Sequence, residues 1–373
     1  MTELESRYGP YISKTEIAYL NESCTERGVF ATEDISENDI ILKIPLSECF
    51  RGNHIDLTYR LIDMDNEYAR SLPTFVTNFP VMWTPSQVES LDGSAMKDMI
   101  ASRKESLIRE DVKKRGQMFL RYRLLVGSRG FSRKEDKDNI TMVPYADMLN
   151  HSNTPNIDWK ITDDHVVLWA LQNIKKGEEC CHTYGTKTNY EHLLFYGMTL
   201  PNNLRHDITY ELFTIPTQIR ENLNYKYFQD TVEFELCGSY SRGTCEIFSF
   251  VRFLVCKNAN PADCPQTLRG LYVQPIGRHN ETIVAKVLNH AFMDIFNQKI
   301  KRLRNAQEKV ADFAQTEINI LLHWINVLKQ AIPVLEAKTS KKASKLLFKM
   351  EKSLYVDDVL RKIVFDKKSY INA

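Results

Sequence analysis

Residues 143–156, "VPYADMLNHSNTPN", decide how this chain is read. A run of bulky apolar side chains ends in Asn150 and His151, and a proline-containing turn follows. An amide and an imidazole are costly at the end of a buried-looking segment unless each finds a hydrogen-bond partner. The pair is therefore either a satisfied turn or part of a site that needs polar groups at depth.

Composition narrows the choice. The 373 residues suggest about two domains. Hydrophobic residues at 43% and aromatics at 10% supply real cores and exclude a disordered chain. A net charge of +1 gives no global field toward nucleic acid or an anionic membrane. The apolar runs are far short of a spanning helix, and residues 1–25 lack a signal-peptide pattern, so a soluble, intracellular protein is expected. The eight cysteines include no C-x-x-C pair, which argues against a structural zinc site; no metal is expected. Cys180 and Cys181 sit in a strand-like stretch with side chains on opposite faces and read as buried thiols. His182 beside them could ligate, but a lone histidine on a strand is more often structural.

Strands come first. "TEIAYLNES", "RGVFATEDI" and "NDIILKIPL" are short strands joined by turns, with Ile40, Leu42 and Ile44 alternating. Residues 54–127 turn helical. There Thr84, Pro85 and Gln87 form a capping box. "NIDWKIT" and "HVVLWAL" flank Asp163-Asp164 as a hairpin. Thr188 and Glu191 are spaced as a second capping box. Beyond about residue 215 the chain reads as mostly helical, with long amphipathic segments at 280–304 and 312–332. The lysine-rich stretch 338–352 reads as a solvated face or helix junction. The fold class is α+β, without a strand–GxGxxG–helix unit, a P-loop or a G-x-S-x-G elbow.

Four pieces stand out in order: "ERGVFA" (26–31), "SRGFSR" (128–133), "ADMLNHS" (146–152) and "HTYG" (182–185). Together they resemble the SET-domain methyltransferases, and more closely the branch typified by the plant Rubisco lysine methyltransferase. The stretch "LPTFVTNFPVMWTPSQVESLDGSAM" resembles that branch's helical insertion. The resemblance implies a SET domain over 10–210, interrupted at about 54–127. It also implies a knot-like threaded Asn-His segment and a helical substrate-binding domain over 211–373.

It further implies S-adenosyl-L-methionine as cofactor and a lysine side chain as methyl acceptor. Asn150 would bind the cofactor's methionine end and the His151 backbone its adenine. Backbone groups of Arg27, Gly28, Val29 and Phe30 would meet the amino-acid end, and the Arg129 guanidinium its carboxylate. Tyr184 would orient the acceptor and polarise the methyl. Phe131 and Tyr196 would line the acceptor channel, although Tyr196 reads equally well as core. Carbonyls near Arg129 and Asp147 would cradle the amine; the Asp147 side chain could equally be a capping or paired carboxylate. Arg133 matches an arginine at the channel mouth and reads as well as a surface cation.

A free lysine has a pKa of about 10.4, so presenting it neutral near pH 7 costs roughly 4–5 kcal/mol unless the site lowers that value. A dry aromatic channel does so by desolvation. A related branch methylates a histidine of actin, with an asparagine where this chain has Phe131 and a tryptophan where it has Ala146. Phe131 cannot hydrogen-bond an imidazole, so lysine is the expected acceptor. The resemblance also implies an abundant non-histone protein, such as a ribosomal protein or elongation factor, as the substrate; the cysteine-rich zinc segments that many histone-directed SET enzymes carry are not seen in this sequence. The expected enzyme is a cytoplasmic monomer, with the nucleus as a second compartment, and makes no contact with nucleic acid or membrane. A silent SET-fold binding module is the non-enzyme alternative.

Overall fold

The computed structural model describes residues 3–20, 26–133, 135–200, 203, 208–214, 231–237, 248, 251–252 and 278–337. In chain order these form α1 (Glu3–Tyr8), β1 (Thr15–Tyr19), β2 (Arg27–Ala31), β3 (Ile40–Pro45) and β4 (Phe50–Gly52). Helices α2 (His54–Ile62), α3 (Glu67–Ser71), α4 (Pro85–Glu89), α5 (Met96–Glu110) and α6 (Gln117–Arg129) follow. Next come β5 (Phe131–Arg133), β6 (Asp136–Met142), β7 (Asn150–His151), β8 (Ile157–Ile161), β9 (His165–Ala170) and β10 (Glu179–His182). The last described elements are α7 (Asn189–Tyr196), β11 (Ile208–Thr214), β12 (Thr231–Cys237), α8 (Arg278–Leu303) and α9 (Glu308–Glu336). This is the expected mixture of short strands and helices.

The chain divides into two compact units. The first is Met1–Trp83, Ile100–Lys187 and Leu193–Met198; the second is Thr84–Met99, Thr188–His192 and Thr199–Ala373.

Three small sheets make the first unit, in the orders β1-β2-β10-β7, β3-β9-β8 and β4-β6-β5. The hairpin expected around Asp163-Asp164 is present, pairing Ile157 with Ala170 and Ile161 with Val166. Thr162 closes its turn, its N–H donating to the His165 carbonyl at 2.8 Å. The alternation of Ile40, Leu42 and Ile44 is broken: the register shifts between Ile40 and Leu42. This bulge puts Ile41 in the core and leaves Ile40 49% exposed. Val29, Ile44, Tyr68, Val126, Val143, Tyr145 and Cys180 belong to one buried apolar cluster that joins strands and helices of this unit.

The segment 143–156 starts deep in that cluster. Tyr145 adopts φ 72°, rare for a residue with a side chain, and its hydroxyl donates to Thr15 Oγ1 at 2.9 Å. A single 3-10 turn, Ala146–Met148, then leads into β7. β7 lies parallel to β10, pairing Asn150 with Cys181 and His151 with His182.

In the second unit the capping box at Thr84 and Gln87 forms as expected. So does the Thr188–Glu191 pair, each residue's side chain accepting from the other's backbone N–H. Helices α8 and α9 contain both expected amphipathic segments and share a core with Leu288, Phe296, Leu321, Trp324 and Leu328. Arg252 and Glu281 form an ion pair with no exposed side-chain surface. β11 and β12 form an antiparallel ladder from Ile208–Cys237 to Thr214–Thr231, where a mostly helical block was expected. Their β-branched and aromatic content, "ITYELFT" and "TVEFELC", favours the strand. The lysine-rich stretch 338–352 lies outside the described residues.

Gly130 ends α6, its N–H donating to the Val126 carbonyl at 3.2 Å. A Cβ there would collide with Ile140 Cγ2 and lie 2.9 Å from the Val126 oxygen. Gly130→Ala is therefore expected to destabilise the first unit by about 1–3 kcal/mol. Trp159 and Trp169 lie in that unit, so their fluorescence in a urea titration reads the change. An unaltered midpoint would mean that Ile140 yields without strain.

Candidate active site

Helix α6 ends at Arg129, Gly130 turns the chain, and Phe131 opens β5. This turn faces the Ala146–Met148 turn and the end of β10, and a cavity of about 220 Å³ lies among them. Its walls include Arg129, Phe131, Asp147, Tyr184 and Tyr196, five residues the sequence singled out. Leu149, Trp159, His182 and Lys187 complete much of the lining.

Aromatic rings dominate. Tyr184 and Tyr196 stack with centroids 4.9 Å apart. Phe131 stacks on His182 at 5.5 Å and meets the edge of Trp159 at 5.0 Å. His182 meets Tyr184 edge-on at 5.0 Å. The Tyr184 hydroxyl donates to the Leu149 carbonyl at 3.0 Å. Burial is the main cause that pushes this phenol up to about 12, with Arg129 opposing it. It therefore keeps its proton at neutral pH.

Asp147 is 5% exposed, and its carboxylate accepts from the Tyr68 hydroxyl at 2.9 Å through Oδ2. Arg129 donates to the Asp147 backbone carbonyl and stands 3.8 Å from Oδ2. Burial drives this carboxyl's pKa up, while Arg129, the Tyr68 hydrogen bond and Arg27 pull it down. Oδ1 has no hydrogen-bond partner among the described residues. The Arg129 guanidinium expected to meet a carboxylate thus already engages the carbonyl expected to cradle an amine.

The remaining candidates lie outside the cavity lining. Asn150 donates through Nδ2 to the Arg27 carbonyl at 3.1 Å and to Glu179 Oε1 at 2.7 Å. His151 Nδ1 accepts from the Tyr184 N–H at 3.0 Å, which places the ring proton on Nε2, 3.2 Å from Asn153 Oδ1. Its imidazole holds the backbone of Tyr184. Burial lowers the His151 pKa, in keeping with that neutral tautomer. The Arg27 guanidinium donates to the Ser71 carbonyl, and burial first, then Arg129, lowers its pKa. Val29 is 0% exposed, between the ladders to β1 and β10, so neither its side chain nor its backbone faces the cavity. Phe30 is half-buried beside it. Arg133 donates to the Thr162 carbonyl and stands 3.7 Å from Asp163, away from the cavity.

Three contributors had been passed over. Glu179 anchors Asn150 and crowds Gly28 so closely that a Cβ there would collide with its carboxylate. Alternation in "GEECCHTY" puts Glu179 on the same side of the strand as Cys181, a weak signal. Tyr68 reaches Asp147 from α3 across 79 residues, and nothing local announces that contact. His182 was read as structural, yet it lines the cavity. Cys180 and Cys181 are free thiols, one buried and one half-buried. Burial pushes both up to about 12. Among the described residues no cluster could hold a metal ion, and no helix is long and apolar enough to cross a membrane.

A group with a carboxylate and an ammonium at one end fits what is here. Arg129 supplies a cation, while the Arg27 carbonyl and the Glu179 carboxylate supply acceptors. Having no side chain, Gly28 lets the Glu179 carboxylate and the Asn150 amide come close to its backbone.

A SET domain profile matches residues 26–185. Over 208 residues the chain is 27% identical to N-lysine methyltransferase setd6 of Salmo salar, covering 54% of this chain and 38% of that protein. Over 241 residues it is 25% identical to the chloroplastic ribulose-1,5-bisphosphate carboxylase/oxygenase large subunit N-methyltransferase of Pisum sativum, covering 50% of this chain and 48% of that one. The chain thus spans less than half the length of these relatives. The SET domain of LSMT, solved with MeLysine and AdoHcy, has a TM-score of 0.63 at 18% identity, over 96% of this chain and 100% of that chain, a likeness of fold.

His182 is 8% exposed, and burial, followed by the nearby His151, pushes its pKa down to about 4. The unfolded value is about 6.5. The unfolded chain therefore binds more protons as pH falls, and stability drops between pH 6.5 and 4. At pH 5 this one ring should cost about 2 kcal/mol relative to pH 7.5. Denaturant titrations at the two pH values check this: His182→Asn should lose about that much of the acid sensitivity, whereas an equal drop in both proteins would refute the assignment.

Proposed function

We propose that this chain, which carries a SET domain over residues 26–185, is a protein-lysine N-methyltransferase that uses S-adenosyl-L-methionine and acts on a non-histone protein. The observation that carries this reading is the cavity of about 220 Å³ walled by Phe131, Tyr184, Tyr196 and Trp159, with the Tyr184 hydroxyl fixed on the Leu149 carbonyl.

When bound, S-adenosyl-L-methionine supplies a methyl group on a positively charged sulfur. The residues do the rest. Arg129 takes the carboxylate end, and the Gly28 backbone with Asn150 and Glu179 takes the amino end. The aromatic walls desolvate an entering lysine and lower its pKa, which offsets part of the roughly 4–5 kcal/mol needed to discharge it. Tyr184 keeps its proton and its position, so its dipole serves the reaction without acting as a base. Catalysis is positioning and electrostatics in a water-poor site. The region 211–373 is the docking domain for the protein substrate, and the cytoplasm is the compartment we assign.

One observation favours a second acceptor. An imidazole needs a polar partner on its other nitrogen. Phe131 offers none, but the neighbouring ring of His182 could supply it. Transfer of labelled methyl groups into a cell lysate, with mass-spectrometric localisation, separates the two; labelled histidine without labelled lysine would reverse the assignment. In the same assay Tyr184→Phe should cut turnover at least tenfold, which is about 1.4 kcal/mol of barrier. Calorimetry should find cofactor affinity within about twofold of wild type. Undiminished turnover in this variant would remove the hydroxyl from the mechanism.

A further inference from the structure

One cation of the cavity wall takes no part in the mechanism above. Lys187 follows Tyr184 by three residues and lines the same cavity. Its side chain folds back over the intervening turn. There Nζ donates to the Tyr184 carbonyl at 2.8 Å and stands 5.8 Å from the centre of the Tyr196 ring. Gly185 permits this return: its φ is 99°, and a Cβ on it would lie 3.0 Å from the same Nζ. The ammonium is thus set against the two stacked rings of the wall, with its position fixed by the backbone of Tyr184.

Charge in the lining is uneven. Among the described residues it includes two cations, Arg129 and Lys187, and one acid, Asp147. That acid is already held by Tyr68 and Arg129. The carboxylate nearest to Lys187 along the chain, Glu191, accepts from the N–H and the hydroxyl of Thr188. Of the rings nearby, burial pushes Tyr184 up to about 12 and His182 down to about 4, so both are uncharged at neutral pH. His151 is lowered by burial first, and the charge of Lys187 adds to that effect. The Lys187 charge is therefore felt inside the site.

We infer that Lys187 discharges the acceptor: its fixed positive charge repels the ammonium form of the entering lysine and leaves the neutral amine as the form held for methyl transfer. This rests on the lysine reading proposed above, and it supplies the part of the discharge that aromatic desolvation leaves over. A neighbouring cation is a general means of lowering the pKa of an amine. The entering ammonium gives its proton to solvent. The amine lone pair then forms the N–C bond. The electrons of the broken C–S bond return to sulfur, which leaves as a neutral thioether. The methylated nitrogen is cationic again, so the charge that discharged the substrate also favours departure of the product.

The test uses the full chain with saturating labelled cofactor and follows methyl transfer into lysine across about pH 6.5–10. Cell lysate is the acceptor, raised at each pH until the rate reaches a plateau. That plateau reports ionisation within the bound complex rather than in solution. For wild type it should rise with pH through a midpoint well below the value of about 10.4 for free lysine. Lys187→Met should move the midpoint up by roughly half a unit to one and a half units, which lowers the plateau at pH 7 about threefold to thirtyfold. The lysate concentration giving half the plateau should not rise with it, because the variant no longer repels the ammonium. Lys187→Arg keeps a charge at every pH used and should keep the wild-type midpoint. A wild-type midpoint at the free-lysine value overturns the inference without any variant. So does a folded Met variant with the wild-type midpoint, or an Arg variant shifted as far as the Met variant. No labelled lysine from wild type would overturn the proposed function and this inference with it; labelled lysine with an unmoved midpoint would overturn this inference alone.

Discussion

Two hydrogen bonds from one amide hold the site together. Asn150 Nδ2 donates to the Arg27 carbonyl and to the Glu179 carboxylate, so a single side chain joins β7, β2 and β10. The β7–β10 ladder is only two residue pairs long and would be weak alone. His151 extends it by accepting from the Tyr184 N–H, and Ser152 adds a backbone bond to His182 at 2.9 Å. The amide nitrogen and the imidazole at the end of a buried run are thus both engaged. One sets where β10 lies, and the other sets where the chain leaves it.

From that arrangement the electrostatics follow. The end of β10 delivers His182 and Tyr184 into a wall of aromatic rings, where burial keeps the phenol protonated and both histidines uncharged. Nearby, Arg129 and Tyr68 hold Asp147, the one acidic side chain among the described residues that lines the cavity. The lining can therefore receive a nitrogen without forcing it to stay charged.

What the sequence disclosed and what it withheld divide along a physical line. Alternation, turn residues and capping boxes gave the β8–β9 hairpin, α4, α7 and the two long helices, because each is written within a few neighbouring residues. Of the candidates in the four motifs, Arg129, Phe131, Asp147 and Tyr184 line one cavity, with Tyr196 from α7 beside them. The rest depends on contacts between distant segments. Tyr68 finds Asp147 across 79 residues, and Arg129 turns to a carbonyl rather than to open space. The bulge at Ile40 and the strands β11 and β12 were hidden because local composition tolerates more than one backbone path. His182 was set aside for its residue type, when its position two before Tyr184 on a short strand was the better guide.

The parallel pairing of β7 with β10 also has a consequence for how the molecule comes into being. Strands that run the same way cannot be joined by a tight turn, and here the whole β8–β9 hairpin lies in the connection. Closing that loop costs chain entropy before any of its bonds are gained, so the hairpin should form early and the cavity wall late. A newly made chain would then possess most of its architecture before it possesses any chemistry, and the rate at which activity appears during refolding would report the docking of two residues onto two others.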